Sequence, residues 1–360
     1  MNEATRPREA ILEPELTIVD PHHHLWDRPA ALMAALPPPK HGFERVIRRV
    51  PRYLLDELLA DMKSGHNVKA TVYVECHSMY RSTGPAEFKP VGETEFANGV
   101  AAMSASGTYG DVRACAGIVG TADLRLGAWA AEVLQAHMAA SSRFRGIRQS
   151  APHDPDPDVL GPLALFESGL YRRDDFREGF ARLAPLGLSF DALLAEPQLP
   201  DLIDLARAFP DTAIVLNHVG MPLGLASYAG KREERFPIWR DNIRALAKAP
   251  KVFVKLGGLA NVFSGFPSFM ADPPAPSSQL AAEWKPYFET CIDAFGPQRC
   301  MFESNFPVDI GSCDYDVLWN AFKRIAARYS ADEKTSLFSD AACNFYRLNP
   351  EDITCVMPYN

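Results

Sequence analysis

The sequence predicts a (β/α)8 barrel, an α/β fold in which eight parallel strands alternate with helices. Three observations support this fold. Short apolar segments rich in β-branched residues alternate with amphipathic stretches along the whole chain, and eight of them can be counted. Polar side chains follow nearly every one, as expected where strand ends build the active face of a barrel.

The predicted strands are divided equally between the two halves of the chain. They cover 16–24, 69–77, 112–119 and 144–149, then 187–193, 212–218, 251–257 and 299–305. Predicted helices cover 52–63, 127–140, 175–183, 201–209, 238–248 and 283–295, and a helical pattern continues over 314–346. A doubly wound open sheet is the alternative, but no glycine-rich phosphate fingerprint follows the first strand.

No compositional linker separates the two halves, so we expect a single domain over residues 1–360 with its core at about 16–348. Two long segments, 28–50 and 260–279, follow the first and seventh strands. Loops of this length at the carboxyl ends of barrel strands are typically lids or binding loops.

Composition limits the classes of function. The chain has 360 residues, of which 47% are hydrophobic, and a net charge of -8. It has no basic stripe for nucleic acid, no signal-peptide core and no apolar run of membrane-spanning length. We therefore expect a cytoplasmic protein without nucleic-acid or membrane partners. Its seven cysteines are odd in number and never spaced as CxxC, which argues against a disulfide framework or a structural zinc site.

Three consecutive histidines, His22 to His24, end the first predicted strand. Alternate residues of a strand point to the same side, so His22 and His24 project together and His23 faces away. A convergent imidazole pair could hold a divalent metal or, without metal, polarise a carbonyl and move protons. Hydrogen-bonded loop histidines are the alternative, which the clustering of histidines beside acids disfavours.

Polar residues also end the other strands. They are Glu75, Cys76 and His77; Arg145, Arg148 and Gln149; Asp191; Asn217 and His218; Lys255; and Glu303, Ser304 and Asn305. Strand alternation places Glu75 with His77, and Glu303 with Asn305. Each residue alone could belong to an ion-paired rim, but their joint placement favours an active site.

Three segments resemble one family of enzymes. They are Asp20-Pro21-His22-His23-His24-Leu25-Trp26, the run from His218 to Pro222, and Phe302-Glu303-Ser304-Asn305-Phe306-Pro307. Together they look like the amidohydrolase-related family, also called amidohydrolase 2, whose members include lactonases and metal-dependent decarboxylases. The resemblance covers roughly residues 16 to 348. It implies that His22 and His24 are the HxH pair and that His218 is a further site histidine.

The same resemblance implies a substrate-binding set. Arg148 would match an arginine that holds a substrate carboxylate or carbonyl, and Arg81 would be a second anion contact with Tyr80 beside it. Glu75 and His77 lie just before this pair in the chain and join the set.

One departure from the family pattern concerns the last strand. The family usually ends it with Gly-Ser-Asp-Trp-Pro, whereas this chain has Asn305 in place of the aspartate. An amide accepts no proton from water and is a poor ligand for a divalent metal. Asn305 is therefore expected to position the water or the substrate rather than to deprotonate the water. Glu303, Asp309 and His218 remain as alternatives for the general base.

The departure also reduces the number of metal ligands. Two histidines without the usual carboxylate fall short of the three protein ligands that a catalytic zinc generally needs. We therefore expect metal-independent catalysis without a cofactor. The alternative is one divalent metal, such as zinc, held by His22, His24 and His218.

We expect a hydrolase that opens a lactone or similar cyclic ester of a small carboxylated molecule. Its catalytic residues would be His22, His24, His218, Glu303 and Asn305, and its partner a small anionic substrate. One alternative is a metal-dependent nonoxidative decarboxylase of an aromatic or related acid. Another is a catalytically retired barrel that binds a small acid. The sequence leaves a homo-oligomer open.

Overall fold

The predicted barrel is present in the structure, a computed structural model that describes residues 9–164, 166–349 and 353. The strands are β1 (Thr17–His23), β2 (Trp26–Asp27), β3 (Arg52–Tyr53), β4 (Asn67–Val74), β5 (Arg113–Gly120), β6 (Phe144–Arg148), β7 (Ser189–Ala192), β8 (Ile214–Leu216), β9 (Val252–Leu256) and β10 (Cys300–Phe302). Eight of them form one parallel sheet in the order β1-β4-β5-β6-β7-β8-β9-β10, and β2 pairs with β3 as a separate antiparallel ribbon.

The barrel closes where its first and last strands meet. The Asn305 amide donates to the His22 carbonyl at 2.9 Å, and the His24 amide donates to the Phe306 carbonyl at 2.8 Å. The buried Asp20 carboxylate adds two contacts, accepting from the Ser304 amide at 2.9 Å and from the Tyr315 hydroxyl at 3.1 Å. This seam therefore passes directly beside the histidine cluster.

Thirteen helices are described, most of them on the outside of the sheet. They are α1 (Ala30–Ala35), α2 (Gly42–Arg49), α3 (Leu55–Met62), α4 (Val91–Ala105), α5 (Ala130–Ala140), α6 (Pro157–Leu160), α7 (Asp174–Phe180), α8 (Leu199–Ala208), α9 (Arg232–Leu246), α10 (Ser277–Phe295), α11 (Tyr315–Ile325), α12 (Ala331–Thr335) and α13 (Ala341–Tyr346). All six predicted inter-strand helices are present.

Two helices begin earlier than the sequence pattern predicts. α9 starts at Arg232 rather than 238 and α10 at Ser277 rather than 283, and each continues through an internal proline, Pro237 or Pro286. A proline normally favours a helix start, but packing against the barrel outweighs its cost here.

The interior of the barrel is filled by inward-facing aliphatic residues. Val19, Val72 and Val215 belong to one buried cluster, which also contains Phe345 and Tyr346 of α13. The last helix therefore contributes to the layer on which the polar site rests. No helix in the described ranges is long and apolar enough to cross a membrane. Six cysteines are described and all are unpaired, whereas Cys355, like the N-terminal residues 1–8, lies outside the described residues.

Candidate active site

A cavity of about 250 Å³ lies at the carboxyl ends of the barrel strands. Its polar floor includes His24, Arg148, His218 and Asn305. The two long segments predicted as lids form the upper wall, because Phe43 of one and Phe263 of the other line the cavity, with ring centres 5.5 Å apart.

The histidine pair converges at the floor. The Nε2 atoms of His22 and His24 are 3.2 Å apart, while His23 faces away and its Nε2 lies 2.9 Å from the Thr71 hydroxyl. All three rings are buried. The alternation of side chains in β1 thus produces the geometry expected from the sequence.

The surroundings of His24 fix its tautomer. A carbonyl only accepts, so His24 Nδ1 donates to the Val74 carbonyl at 2.8 Å. His22 Nδ1 lies 2.5 Å from Glu303 Oε2 without forming a hydrogen bond to it. Burial, with Lys255 beside His22 and Arg148 beside His24, lowers the pKa of both rings well below the usual value. The lone pair of His24 Nε2 therefore faces His22 Nε2.

Glu303 holds His218. Its Oε1 accepts from His218 Nδ1 at 2.6 Å and from the His218 amide at 3.1 Å. This places a lone pair on His218 Nε2, and the ring borders the cavity. The ring fits because residue 258 is glycine, since a Cβ there would lie 2.3 Å from the His218 ring. One buried carboxylate thus orients this imidazole.

Arg148 is paired with another buried acid. Its Nε donates to Glu75 Oε1 at 2.7 Å and its Nη2 donates to the Glu75 carbonyl. Its Nη1 lies 3.4 Å from His22 Nε2. Two of the Arg148 N–H groups that were expected to bind a substrate are therefore bonded to Glu75. The Nη1 atom faces the convergence point of the histidines.

A second buried ion pair supports the floor. Lys255 Nζ donates to Asp191 Oδ1 at 2.7 Å and lies 3.3 Å from His22 Nδ1. The same Asp191 oxygen accepts from Asn217 Nδ2 at 3.2 Å and from the Tyr346 hydroxyl at 2.8 Å. Pairing compensates the cost of burying these charges. The strand pattern identifies all of these residues except Tyr346, which arrives from α13.

Asn305 links the histidine pair to an acid. Its Oδ1 lies 3.3 Å from His24 Nε2, and its Nδ2 donates to Asp309 Oδ1 at 2.8 Å. Burial raises the pKa of Asp309 well above its usual value. Asp309, one of the alternatives for the base, is not among the residues that border the cavity.

The remaining predicted residues lie farther out. His77 is exposed and borders the cavity, with Nε2 3.6 Å from Glu75 Oε2 and Nδ1 2.9 Å from the Tyr80 hydroxyl. Tyr80 lines an adjoining cavity of about 380 Å³. Arg81 is exposed and pairs with Glu95 of α4, so the structure does not bring it to the histidine cluster.

Two cavity residues, Trp26 and Arg28, are absent from the sequence-based set. The Arg28 guanidinium lies 4.7 Å from the centre of the Trp26 ring, which stacks beside His24 with ring centres 6.3 Å apart. They could have been predicted by extending the strand alternation of His22 and His24 to positions 26 and 28.

The donor set fits a divalent metal ion. Two imidazole nitrogens 3.2 Å apart match the edge of a tetrahedral site with metal–nitrogen bonds of about 2.0–2.1 Å. Ligand atoms of His22, His218 and Glu303 also lie within 4.8 Å of one another. Histidine and carboxylate are both zinc ligands. The alternative cofactor considered from the sequence is therefore chemically compatible with this site.

Comparison with known proteins agrees with this fold. The Amidohydrolase family model (Amidohydro_2) matches residues 19–348, and the chain therefore belongs to that family. It is an enzyme of the amidohydrolase superfamily.

The chain is 36% identical to the uncharacterized protein y4mH of Sinorhizobium fredii over 93% of its length and 99% of that protein. It is 30% identical to an L-fucono-1,5-lactonase of Burkholderia multivorans over 65% of its length and 72% of the lactonase. A crystal structure of a Burkholderia multivorans amidohydrolase with bound zinc superposes with a TM-score of 0.68 at 25% identity, covering 92% of this chain and all of the other.

Proposed function

We propose that this protein is a hydrolase that opens a lactone or similar cyclic ester of a small carboxylated molecule. The observation that carries the proposal is the carboxylate of Glu303, which accepts from Nδ1 of His218, a residue that lines the cavity, and lies 2.5 Å from Nδ1 of His22. Relatives named as lactonases support the same chemistry.

His218 is the general base in this proposal. Glu303 accepts the Nδ1 proton, so His218 Nε2 is free to take a proton from water as the water oxygen attacks the lactone carbonyl. When the ring carbon–oxygen bond breaks, the same nitrogen returns the proton to the leaving oxygen. Glu303 acts as a positioning residue because both of its oxygens already contact imidazoles.

The developing oxyanion needs donors at the convergence point of His22 and His24. His24, whose proton is on Nδ1, cannot donate from Nε2, whereas Arg148 Nη1, 3.4 Å from His22 Nε2, can. The alternative is a divalent ion held by His22, His24 and His218, and a zinc-bound relative of 25% identity supports it. When bound, such an ion polarises a carbonyl oxygen. Metal-independent action remains a prediction.

The retired-barrel alternative depends mainly on Asn305, and the His218–Glu303 pair supplies a base that does not involve Asn305. The decarboxylase alternative has neighbours in solved structures, such as a manganese-bound 5-carboxyvanillate decarboxylase, but at 13% identity these show only the fold.

A panel of lactones followed with a pH indicator tests the proposal. We expect turnover by the wild type, and a fall in kcat/KM of at least about a hundredfold for Glu303→Gln, because an amide is a weaker acceptor for His218 Nδ1 than a carboxylate. Glu132→Gln, an exposed change on α5, is the matched control and should retain full activity.

Two further readouts separate the alternatives. If the protein releases carbon dioxide from aromatic acids and hydrolyses no lactone, the hydrolase proposal is wrong and the protein is a decarboxylase. Unimpaired Glu303→Gln would remove the His218–Glu303 pair from the mechanism. Elemental analysis of the purified protein decides whether zinc or another divalent metal is present.

A further inference from the structure

The Arg28 guanidinium borders the active cavity without an acidic partner. Within the described part of the chain it forms no ion pair, and its buried Nη1 has no hydrogen-bond partner. Arg148, the other cavity arginine, is held by Glu75. The cavity therefore contains one committed and one uncommitted guanidinium.

Stacking on Trp26 alone does not account for Arg28. A cation–π contact is worth about 0.5–2 kcal/mol and leaves the edge of the guanidinium without partners. Burial lowers the pKa of Arg28, as expected for a cation desolvated without a carboxylate. An unpaired, partly desolvated guanidinium at a cavity wall is suited to an anionic group of a ligand, which it can bind through two parallel hydrogen bonds.

The rest of the cavity wall is largely apolar. It is formed by Trp26, Phe43, Ile47, Leu163, Phe166, Leu193, Met221, Phe263 and Val308.

The polar side chains among the lining residues are mostly in use. Asn261 donates to the Gly258 carbonyl and accepts from the Phe263 amide, and Asn305 is bonded to Asp309. A polyhydroxylated ligand would find few partners beyond His24, His218, Arg148 and Ser150, and each hydroxyl group buried without a partner costs about 1–3 kcal/mol.

We infer that Arg28 is the anion anchor of this site and that the substrate is an otherwise apolar lactone carrying a carboxylate, rather than a sugar lactone. The inference rests on the proposed hydrolysis for its reacting group. Arg28 Cζ lies 4.7 Å from the Trp26 ring centre, which is 6.3 Å from that of His24. Arg28 and the histidine cluster therefore lie on either side of Trp26, close enough for one small lactone to contact both.

Turnover provides the first test. Dihydrocoumarin, a dihydrocoumarin with a carboxylate on its aromatic ring, and L-fucono-1,5-lactone are compared in the wild type, Arg28→Gln and Arg28→Lys. We expect the carboxylated aryl lactone to be the best of the three. Arg28→Gln should lower kcat/KM about ten- to a hundredfold for this substrate and less than threefold for the neutral aryl lactone. Arg28→Lys should be intermediate because charge remains but the planar fork is lost.

The matched control is Arg45→Gln, the same charge change at an exposed position of α2 that does not border the cavity. It should leave all three activities unchanged. An equal loss on neutral and carboxylated lactones in Arg28→Gln, or a preference of the wild type for the sugar lactone, would overturn the inference.

Equilibrium binding separates this inference from the proposed function. Calorimetry compares naphthalene-2-carboxylate with naphthalene-2-carboxamide, neither of which contains a lactone. We expect the wild type to bind the carboxylate at least about tenfold more tightly, and Arg28→Gln to lose this preference. If no lactone is hydrolysed but this pattern holds, the anchor stands and the hydrolase proposal fails. Equal affinities in the wild type would reject Arg28 as the anchor.

Discussion

At the scale of single residues, Asn305 separates two groups that a carboxylate would disturb. Its Nδ2 donates to Asp309 on one side, and on the other its Oδ1 faces the lone pair of His24 Nε2, so two acceptors meet there. An aspartate at this position would match the family pattern in sequence. In this structure it would also place a second acid against a buried one whose pKa is already raised.

We therefore expect Asn305→Asp to lower activity rather than raise it. Two carboxyl groups within hydrogen-bond distance share one proton, so one of their pKa values rises further. An ionised pair in contact with the His24 ring favours protonation of the imidazole cluster, which should shift the acidic limb of the kcat/KM profile upward by about one pH unit or more. Asn305→Ala, which removes the contact without adding charge, is the comparison. An Asn305→Asp enzyme faster than the wild type with an unshifted profile would contradict this.

At the scale of elements, the cavity depends on contact between two long segments that are far apart in sequence. Phe263 meets both Phe43 and His41, with ring centres 5.5 and 5.6 Å apart. The first segment contains α1 and α2, and α1 has no buried residue. Its position over the site therefore depends on α2, which buries Gly42 and Val46, and on these aromatic contacts.

Phe263→Ala should release the first segment from the cavity. We expect faster proteolytic cleavage within residues 28–50 and a KM raised about tenfold. The KM rises because part of the free energy of substrate binding is then needed to order the segment. Phe88→Ala, which removes a partly buried ring that packs on Trp129 elsewhere on the surface, is the control for general destabilisation. Unchanged proteolysis and KM would show that the segment is held by other contacts.

The elements were predictable from sequence to different degrees. Every barrel strand could be predicted because each is a short apolar run and nearly all of them end in a polar residue. The early start of α9 could not, since Pro237 obscures it, and that of α10 falls partly in a stretch assigned to the loop 260–279. Side-chain pairs across the barrel could not be predicted either. No local sequence pattern indicates that Glu75 pairs with Arg148, 73 positions along the chain.

At the scale of the whole molecule, the buried histidines make stability depend on pH. Burial lowers the pKa of His23 to about 3 from an unfolded value of 6.5. Between these values the unfolded chain binds one more proton than the folded chain, so stability falls as the pH falls. Asp20, whose pKa burial raises to about 6, acts in the opposite sense, and its contribution is lost as the pH rises through 6.

His23→Gln should reduce this acid sensitivity. At 1.36 kcal/mol per pH unit, His23 should account for about 2 kcal/mol of the free energy of unfolding lost between pH 7 and pH 5. Urea unfolding of the wild type and the variant at both pH values gives a double difference from which Asp20 cancels. A difference near zero would mean that His23 titrates alike in the folded and unfolded chain.

The seam between β1 and β10 has a consequence for how the enzyme could be divided. A cut in the connection after β6 would divide the site residues between two fragments. The N-terminal fragment would contain His22, His24 and the Arg148–Glu75 pair. The C-terminal fragment would contain His218, Glu303 and the Lys255–Asp191 pair. Neither half-barrel alone has both a base and an oxyanion donor. Activity from two separately made fragments would thus report reassembly of the β1–β10 and β6–β7 junctions, which makes this barrel suited to a complementation assay.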